Sequence, residues 1–252
     1  MNKLAFLTIA IFTLFVDTLA ATVNPDGSFS TSIPIETPAG RNGIQPKLAL
    51  TYNSNAGNAS ASLSADSIVG IGWSVQGLPV ITRINFSRGI NYDGQDIYAG
   101  PEGRLIDVST SAGAATGSIY HAENQNWTKY EPLGSDGQTL TQSNRCGDSA
   151  CSWRATDRNG VVYFYGAAGS SRVTAVDAQG NAIHGGAVRV WALSRVTDLH
   201  GNYYEVEYYQ NSGQFYPKKI LYTGNVAAGL PPRYSVRFSY DETGRPDKEI
   251  SY

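Results

Sequence analysis

Glycine-containing turns recur along the second half of this 252-residue chain and constrain its fold more than any other feature. Turns of the form Asp-x-x-Gly occur at residues 157–160, 177–180, 198–201 and 241–244. Their glycines, taken with Gly224 of a Tyr-Thr-Gly-Asn turn, are spaced 20, 21, 23 and 20 residues apart. Runs rich in Val, Tyr and Phe separate them. Each interval therefore predicts a strand, a turn and a return strand, a unit too small to bury its own face without a neighbour.

The composition favours strands and turns over helices. The chain has 16 tyrosines, eight phenylalanines and 27 glycines, and 16% of its residues are charged. Aromatic residues are enriched in strands and glycine in turns. Within residues 153–166, Asn159-Gly160 predicts a hairpin with a type I′ turn, in which both central residues adopt φ > 0. We therefore predict an all-β fold of antiparallel hairpins that form a large curved sheet.

The first structured stretch is predicted to run from Ser28 to Arg83. Residues 28–35 and 46–53 alternate between small or polar and apolar side chains, which indicates two half-buried strands. The Pro-Ala-Gly-Arg-Asn-Gly run at 38–43 separates them, because proline fixes φ and glycine tolerates φ > 0. Glycines then flank Trp73, which is typical of a backbone that packs closely against an indole.

These motifs resemble the SpvB/TcaC N-terminal domain family, which begins the B components of insecticidal Tc toxins and the virulence protein SpvB. The glycine-turn repeat is similar to the YD/RHS pattern, in which β-hairpins wrap into a hollow shell. The resemblance covers about residues 25–252 and departs from the family at 59–65, which is rich in Ala and Ser rather than Gly. The motif residues that carry it are Pro34, Pro38, Gly40, Arg41, Gly43, Pro46, Tyr52, Asn53, Gly72, Trp73, Arg83, Asp198, Gly201 and Asn202.

The resemblance implies a non-enzymatic scaffold that helps to enclose and deliver a toxic module. Its partners would be other toxin-complex subunits or the missing C-terminal part of the shell, since family members continue for hundreds of residues and this shell would be incomplete at its C-terminus. We expect Arg41, Tyr52, Trp73 and Arg83 to organise the first sheet. Neither a cofactor nor a metal is predicted.

Residues 1–20 are predicted to be a secretory signal peptide, followed by one β domain over 21–252. Lys3 precedes a thirteen-residue apolar run that ends at Val16, and small residues stand at positions 18 and 20. No later segment is apolar enough to cross a membrane. We therefore expect a secreted, extracellular protein that passes through the periplasm in transit.

Cys146 and Cys151 are the two cysteines of the chain. In an exported protein, two cysteines that close a short loop are most simply a disulfide, and two free thiols are the alternative.

The formal net charge of −2, without a cluster of Lys and Arg, argues against a nucleic-acid partner. The sharpest enzymatic hypothesis is ADP-ribosyl transfer. It would use Arg83 or Arg104, the Ser-Thr-Ser run at 109–111, and the pair Glu205 and Glu207. More than ninety residues separate the serine run from the glutamates, which is too long for that fold. The glutamates also alternate with Tyr and Val, as on the solvent face of a strand.

Two other hypotheses remain open from the sequence. The chain could be half of a split shell that a second chain completes. It could also be a surface module that binds carbohydrate or protein, because exposed aromatic side chains on sheets suit sugar stacking. Trp127 and Trp153 are the candidates for such contacts.

Overall fold

The structure is a computed structural model that describes residues 20–55, 68–70, 72–85, 89–93, 96–109, 118–124, 126–147, 149–177, 179–211 and 213–240. These residues form β-strands and short 3₁₀ turns, and they contain no α-helix. Residues 1–19 of the signal peptide predicted at 1–20, and the turn predicted at 241–244, lie outside them. The strands are β1 Ala20–Val23, β2 Phe29–Ile35, β3 Leu48–Asn53, β4 Trp73–Gln76, β5 Val80–Ile84, β6 Ile97–Gly100, β7 Gly103–Asp107, β8 Tyr120–Ala122, β9 Lys129–Leu133, β10 Ser152–Thr156, β11 Val162–Tyr165, β12 Arg172–Thr174, β13 Val188–Thr197, β14 Asn202–Asn211, β15 Gln214–Asn225 and β16 Tyr234–Arg237.

Strands β1 to β4 form a small antiparallel sheet in sequence order. Tyr52 of β3 lies opposite Trp73 of β4, and the centroids of their rings are 5.3 Å apart. Gly72 precedes the tryptophan because a Cβ atom there would lie 2.7 Å from Cε2 of Tyr52. Close aromatic packing thus explains the glycine beside this tryptophan.

The remaining strands form a twelve-stranded sheet, most of which closes on itself. Strand β13 pairs with both β5 and β11. The Leu193 N–H donates to the Pro79 carbonyl, whereas the Ala192 carbonyl accepts from the Gly166 N–H. Consecutive residues of a strand point these groups to opposite sides, so β5 and β11 flank β13. Strands β5 to β11 and β13 therefore make a closed ring, and β14, β15 and β16 extend from it as a ribbon.

The all-β prediction with antiparallel hairpins is confirmed, since every strand pairing among the described residues is antiparallel. The single curved sheet of the prediction is resolved into a small sheet and a ring with its ribbon. Arg83, assigned from the sequence to the first sheet, lies in β5 of the second. The reason is that the chain leaves the small sheet at β4 and enters the ring four residues later.

Aromatic side chains fill the ring. Trp153 of β10 and Trp191 of β13 have no exposed surface, and their ring centroids are 6.0 Å apart in an edge-to-face arrangement. Tyr98 packs edge-on against both of them, at 4.9 and 5.7 Å. The Trp191 indole N–H donates to the carbonyl of Ala150. Edge-to-face packing satisfies the quadrupoles of the rings and adds to the burial of their large apolar surface. Trp153 is therefore a core residue and cannot stack on a sugar.

A buried ion pair closes the loop between β5 and β6. The side chains of Arg83 and Asp96 have no exposed surface, and Nη1 lies 3.2 Å from Oδ2. Asp96 also accepts from the backbone N–H groups of Asn91 and Tyr92. The guanidinium lies 5.3 Å from the ring centroid of Tyr92 and 5.5 Å from that of Tyr98. The two aromatic rings thus make cation–π contacts with the Arg83 guanidinium. Nε and Nη2 of this guanidinium have no hydrogen-bond partner within the described ranges.

The Asp-x-x-Gly turns that begin at Asp157, Asp177 and Asp198 share one hydrogen-bond pattern, and the turn at 157–160 differs from the predicted type I′ turn. At 157–160 the Gly160 N–H donates to the Asp157 carbonyl, and the Asp157 N–H donates to the Val161 carbonyl. Gly160 has φ +76°, but Asn159 is not among the described residues with positive φ. The prediction was wrong because the Asp157 carboxylate accepts from the backbone N–H groups of Asn159 and Val161, which stabilises a three-residue loop with one left-handed glycine.

Gly224 does not occupy a turn. It lies in β15 opposite Tyr203, and a Cβ atom on it would stand 2.4 Å from the tyrosine ring. The spacing of the glycines predicted a turn here, but this glycine instead leaves room for an aromatic side chain of the neighbouring strand.

The sulfur atoms of Cys146 and Cys151 form a disulfide with an S–S distance of 2.07 Å. The loop that they close packs against the chain before β13. The Ser149 hydroxyl accepts from the Val188 N–H, and a Cβ atom on Gly147 would lie 2.9 Å from the Ala187 nitrogen. The disulfide thus stabilises the loop on which the start of β13 rests.

We expect Asp96→Ala to lower the free energy of unfolding by about 3–5 kcal/mol, because it leaves the Arg83 guanidinium buried and uncompensated. The matched control is Glu131→Ala. Glu131 pairs with Arg154 at 3.1 Å, but the arginine side chain is 40% exposed, so we expect a loss of about 1 kcal/mol or less. Urea unfolding followed by circular dichroism measures both. Equal losses would contradict this role of the buried pair.

Candidate functional site

Several turns meet at one end of the ring, a region that we call the turn face. It comprises Asn42 and residues 126–128, 157–160, 198–202 and 223–229. The strand register explains their meeting. Lys129 lies opposite Thr156, Val162 opposite Thr197, and Asn202 opposite Asn225. Because these pairs end the antiparallel strands, the connecting turns must be neighbours.

Asp198 is the hub of hydrogen bonds on the turn face. Its Oδ1 accepts from the backbone N–H groups of His200 and Asn202, at 2.9 and 2.8 Å. Its Oδ2 accepts from the Asn202 amide at 2.8 Å and from the Asn42 amide at 3.2 Å. Burial disfavours the charged form of Asp198. The hydrogen bonds from Asn202, Asn42 and His200 outweigh that effect and hold the pKa of the carboxyl below its ordinary value.

A bulge in β15 connects the turn face to the small sheet. Tyr203 pairs with Gly224 and Tyr204 with Tyr222, which leaves Thr223 between two registers with φ +75°. Positive φ is rare for a β-branched residue. The Thr223 carbonyl accepts from Nε of Arg41 at 2.8 Å, and its hydroxyl accepts from the Arg233 N–H. The strained residue is therefore bound on both sides.

Asn225 completes this network. Its amide donates to the Asn202 side-chain oxygen at 2.7 Å and to the His200 carbonyl at 3.1 Å. The Val226 N–H donates to the Gly201 carbonyl. The turn at 198–202 is thus bound to the end of β15 by backbone and side chain alike.

The structure brings Arg41 into the same neighbourhood as Asp198 and Asn202, although it precedes Asp198 by 157 positions in the sequence. Sequence reasoning assigned no contact to Asn42 or Thr223, although both stand in the motif clusters. Asn42 has φ +50°, and an Asn between Arg and Gly in a turn was the available signal. Thr223 had none, since a bulge depends on the register of the partner strand.

A depression of about 430 Å³ lies beside this network. It is lined by Asn126, Trp127, Thr128, Asp157, Arg158 and Asn159. The Trp127 side chain is 67% exposed, and Leu199 in the neighbouring turn is 76% exposed. One aromatic side chain among five polar residues distinguishes this depression from an apolar groove.

The residues of the ADP-ribosyl-transfer hypothesis have other partners. Glu205 forms an ion pair with Arg195 at 3.3 Å, and Glu207 forms one with Lys219 at 3.7 Å. Arg83 is buried with Asp96. Ser109 donates to the Asp107 carboxylate, whereas positions 110 and 111 lie outside the described residues. No group of three or more His, Cys, Asp or Glu side chains suited to a metal ion occurs in the described part of the chain.

We expect Asp198→Asn to lower the free energy of unfolding by about 2 kcal/mol at neutral pH. The pKa of Asp198 is lower in the folded chain than in the unfolded chain. As the pH falls, the Asp198 carboxylate is therefore protonated in the unfolded chain before it is protonated in the folded chain. The stabilisation of the fold by charged Asp198 is fully present above about pH 4, and it is lost as the pH drops through the pKa of the folded chain. Urea unfolding at pH 7 and at lower pH should show a smaller pH dependence in the variant.

The matched control for this prediction is Asp177→Asn. Asp177 makes the same turn contacts with Gln179 and Asn181, but its described contacts stay within the turn. We expect a smaller loss than for Asp198→Asn. Losses of the same size would show that the contact between Asp198 and Asn42 adds nothing to stability.

Solved structures with a similar fold come from toxin and effector proteins. One is the N-terminal domain of effector protein SpvB from Salmonella typhimurium strain LT2, with 21% identity, a TM-score of 0.60, and coverage of 88% of this chain and 76% of that chain. TcdB2-TccC3 is similar at 19% identity and TM-score 0.60, over 88% of this chain. The Photorhabdus luminescens Tc holotoxin pore is similar at 18% identity and TM-score 0.62, over 87% of this chain and 10% of that chain.

At these identities the likeness shows a shared fold. The chain spans 11% of the length of the TcdB2-TccC3 chain that it matches. No curated protein sequence matches it. Within the residues that the structure describes, no helix is long and apolar enough to cross a lipid bilayer.

The family model is decisive because it covers most of the chain. It is described as "SpvB: Salmonella virulence plasmid 65kDa B protein" and matches residues 23–240, which include every cluster of the motifs that carry the resemblance. The resemblance inferred from those motifs is therefore confirmed, and the chain belongs to the SpvB family.

Proposed function

We propose that this chain is a non-enzymatic wall segment of a toxin or virulence protein of the Tc toxin B and SpvB type. It would help to enclose a toxic module and to deliver it together with partner subunits. The supporting observation is the closed ring with its three-strand ribbon, a fold shared with TcdB2-TccC3 and the Tc holotoxin pore. TcdB2-TccC3 and the Tc holotoxin pore are assemblies of several components, which is the context that a wall segment requires.

The outer edge of the ribbon is the surface that would join the next part of the wall. In the described part of the chain, β16 pairs with β15 alone. The Phe238 N–H donates to the Lys218 carbonyl, so alternate residues of β16 donate towards β15. By that alternation the N–H groups of Ser235 and Arg237 point away from it. An unpaired row of this kind is a template for another strand.

Export of the chain is part of the proposal. Residues 1–20 have the pattern of a secretory signal, and the mature domain would begin at residue 21, the second residue of β1. The disulfide between Cys146 and Cys151 supports an oxidising compartment, where such bonds persist.

We expect Ser235→Pro to block assembly while the domain still folds. Proline removes the outward N–H and adds a ring at the open edge, but the inward bonds of β16 to β15 remain. The chain should be co-expressed with each of a panel of YD-repeat proteins and purified through a tag on this chain. The parent should co-purify with such a partner at a fixed ratio, and Ser235→Pro should not.

Ser235→Ala is the matched control, because it removes the hydroxyl and keeps the N–H. Thermal unfolding should give the same midpoint for both variants within about 4 °C, a shift equivalent to 1 kcal/mol or less. The edge proposal would be overturned if the proline variant assembled as well as the parent. It would also be overturned if the parent bound no YD-repeat protein.

A wall segment should not transfer ADP-ribose. The pairing of Glu205 and Glu207 with Arg195 and Lys219 supports a surface role for these carboxylates. We expect no labelled product when the chain is incubated with labelled NAD and cell extract. Transfer that disappears in Glu207→Ala but persists in Glu131→Ala would show catalysis by the glutamate pair.

A further inference from the structure

Two loops of the ring form the depression beside Trp127, and the strand register fixes their distance. Lys129 begins β9 and lies opposite Thr156, which ends β10. Residues 126–128 and 157–159 therefore leave the sheet side by side. Both loops are connected directly to strands of the closed ring, so the depression is built on a rigid support.

The backbone of Trp127 has an unusual conformation for an exposed, bulky residue. Its φ is +67°, in the left-handed region that bulky residues rarely adopt. The residues on either side maintain it. The Asn126 side-chain oxygen accepts from the Thr128 N–H at 3.0 Å, and the Thr128 carbonyl lies 2.9 Å from Nδ1 of His121, which donates to it. Thr128 is only 6% exposed. The loop thus presents a large indole to solvent on an ordered backbone.

The polar groups around the indole suit a ligand rich in hydroxyl groups. Arg158 and Asn159 are exposed, and the described residues give their side chains no hydrogen bond or ion pair. Asp157 supplies a carboxylate, which is held in place by the backbone N–H groups of its own turn. An indole face, a planar amide, a guanidinium and a carboxylate provide stacking and paired hydrogen bonds for a pyranose ring.

The charges of the depression select among such ligands. Asp157 and Arg158 offset one another, so the lining has no net charge to attract a sulfated or acidic sugar. The depression is open to solvent and has a volume of about 430 Å³, which is enough for one sugar ring to rest on the indole. Large aliphatic side chains are absent from its lining, and a peptide anchored by apolar residues would need them.

We propose that the depression formed by residues 126–128 and 157–159 binds a neutral pyranose of a cell-surface glycan, with Trp127 as the stacking platform. Arg158 and Asn159 donate hydrogen bonds to the sugar hydroxyls, and the Asp157 carboxylate accepts them. This binding goes beyond the wall function and does not depend on the edge at β16. A wall segment with this site would attach its assembly to glycans of a target cell.

Tryptophan fluorescence gives a direct test in the full chain. Trp153 and Trp191 are fully buried and Trp73 is partly buried, so Trp127 is the indole most accessible to acrylamide. The probes are methyl glycosides of galactose, glucose, mannose and N-acetylglucosamine, followed by a glycan array. At least one glycoside should shift the emission to shorter wavelength and reduce acrylamide quenching.

Trp127→Ala should weaken binding about tenfold or more on the array. Trp127→Phe should keep part of the affinity, because a smaller ring still stacks, and Arg158→Ala should weaken binding without changing the emission of the free chain. Leu199→Ala is the matched control, since this exposed side chain on the turn face does not line the depression. It should bind as the parent does.

Three outcomes would overturn the proposal. The first is that no glycoside and no arrayed neutral glycan binds. The second is binding that persists unchanged in Trp127→Ala. The third is equal loss in Leu199→Ala, which would indicate a wider docking face for protein. Circular dichroism of each variant shows that the ring is folded, and assembly through β16 should be unaffected in all of them.

Discussion

The two-sided pairing of β13 is the constraint on which the rest of the structure depends. One edge of this strand pairs with β5 and the other with β11, and without both pairs the ring would be an open sheet. Closure places Trp191 of β13 against Trp153 of β10 and shields both from water. The same strand continues beyond the ring to pair with β14, so it also fixes where the ribbon leaves. The position of the turn face follows from these registers.

The small sheet is positioned by polar contacts rather than by a large apolar interface alone. Arg41 binds the Thr223 carbonyl, and Asn42 binds the Asp198 carboxylate. Leu48 and Val75 of the small sheet do enter the common core. Polar bonds of this kind contribute modestly one by one, but they demand defined geometry. They therefore specify orientation, while apolar burial supplies most of the stabilisation.

Local signals in the sequence predicted the hairpins well. The strands predicted at 28–35 and 46–53 correspond to β2 and β3, and the predicted hairpin at 153–166 corresponds to β10 and β11. The alternation of side chains and the preferences of turn residues act over a few positions, so strands and hairpins can be predicted from the local sequence. Closure of the ring could not be predicted from the local sequence, because it pairs Ile81 with Trp191, two residues that are far apart in the chain.

The candidate site was predictable in its parts and not in its assembly. Asp198 and Arg41 belong to visible motifs, but their common neighbourhood depends on the bulge at Thr223. The two tryptophans proposed for sugar contacts looked alike in the sequence. The structure shows that they differ in burial, because Trp153 lies inside the ring and Trp127 is exposed in the loop before β9. The turn at 157–160 is not the predicted type I′ turn, because the Asp157 carboxylate accepts hydrogen bonds from backbone N–H groups of the same turn.

Ring closure between distant strands also determines the order in which the domain can fold. Strand β5 can pair with β13 only after β13 has left the ribosome or a secretion channel, which happens much later than for β5. During that delay an edge of β5 is unpaired, and non-local pairing of this kind makes folding slow. A chain threaded outward from its N-terminus would therefore gain its native topology in one late step, when residues 188–197 emerge. Chaperones that cover nascent sheet edges would act on the chain before that step.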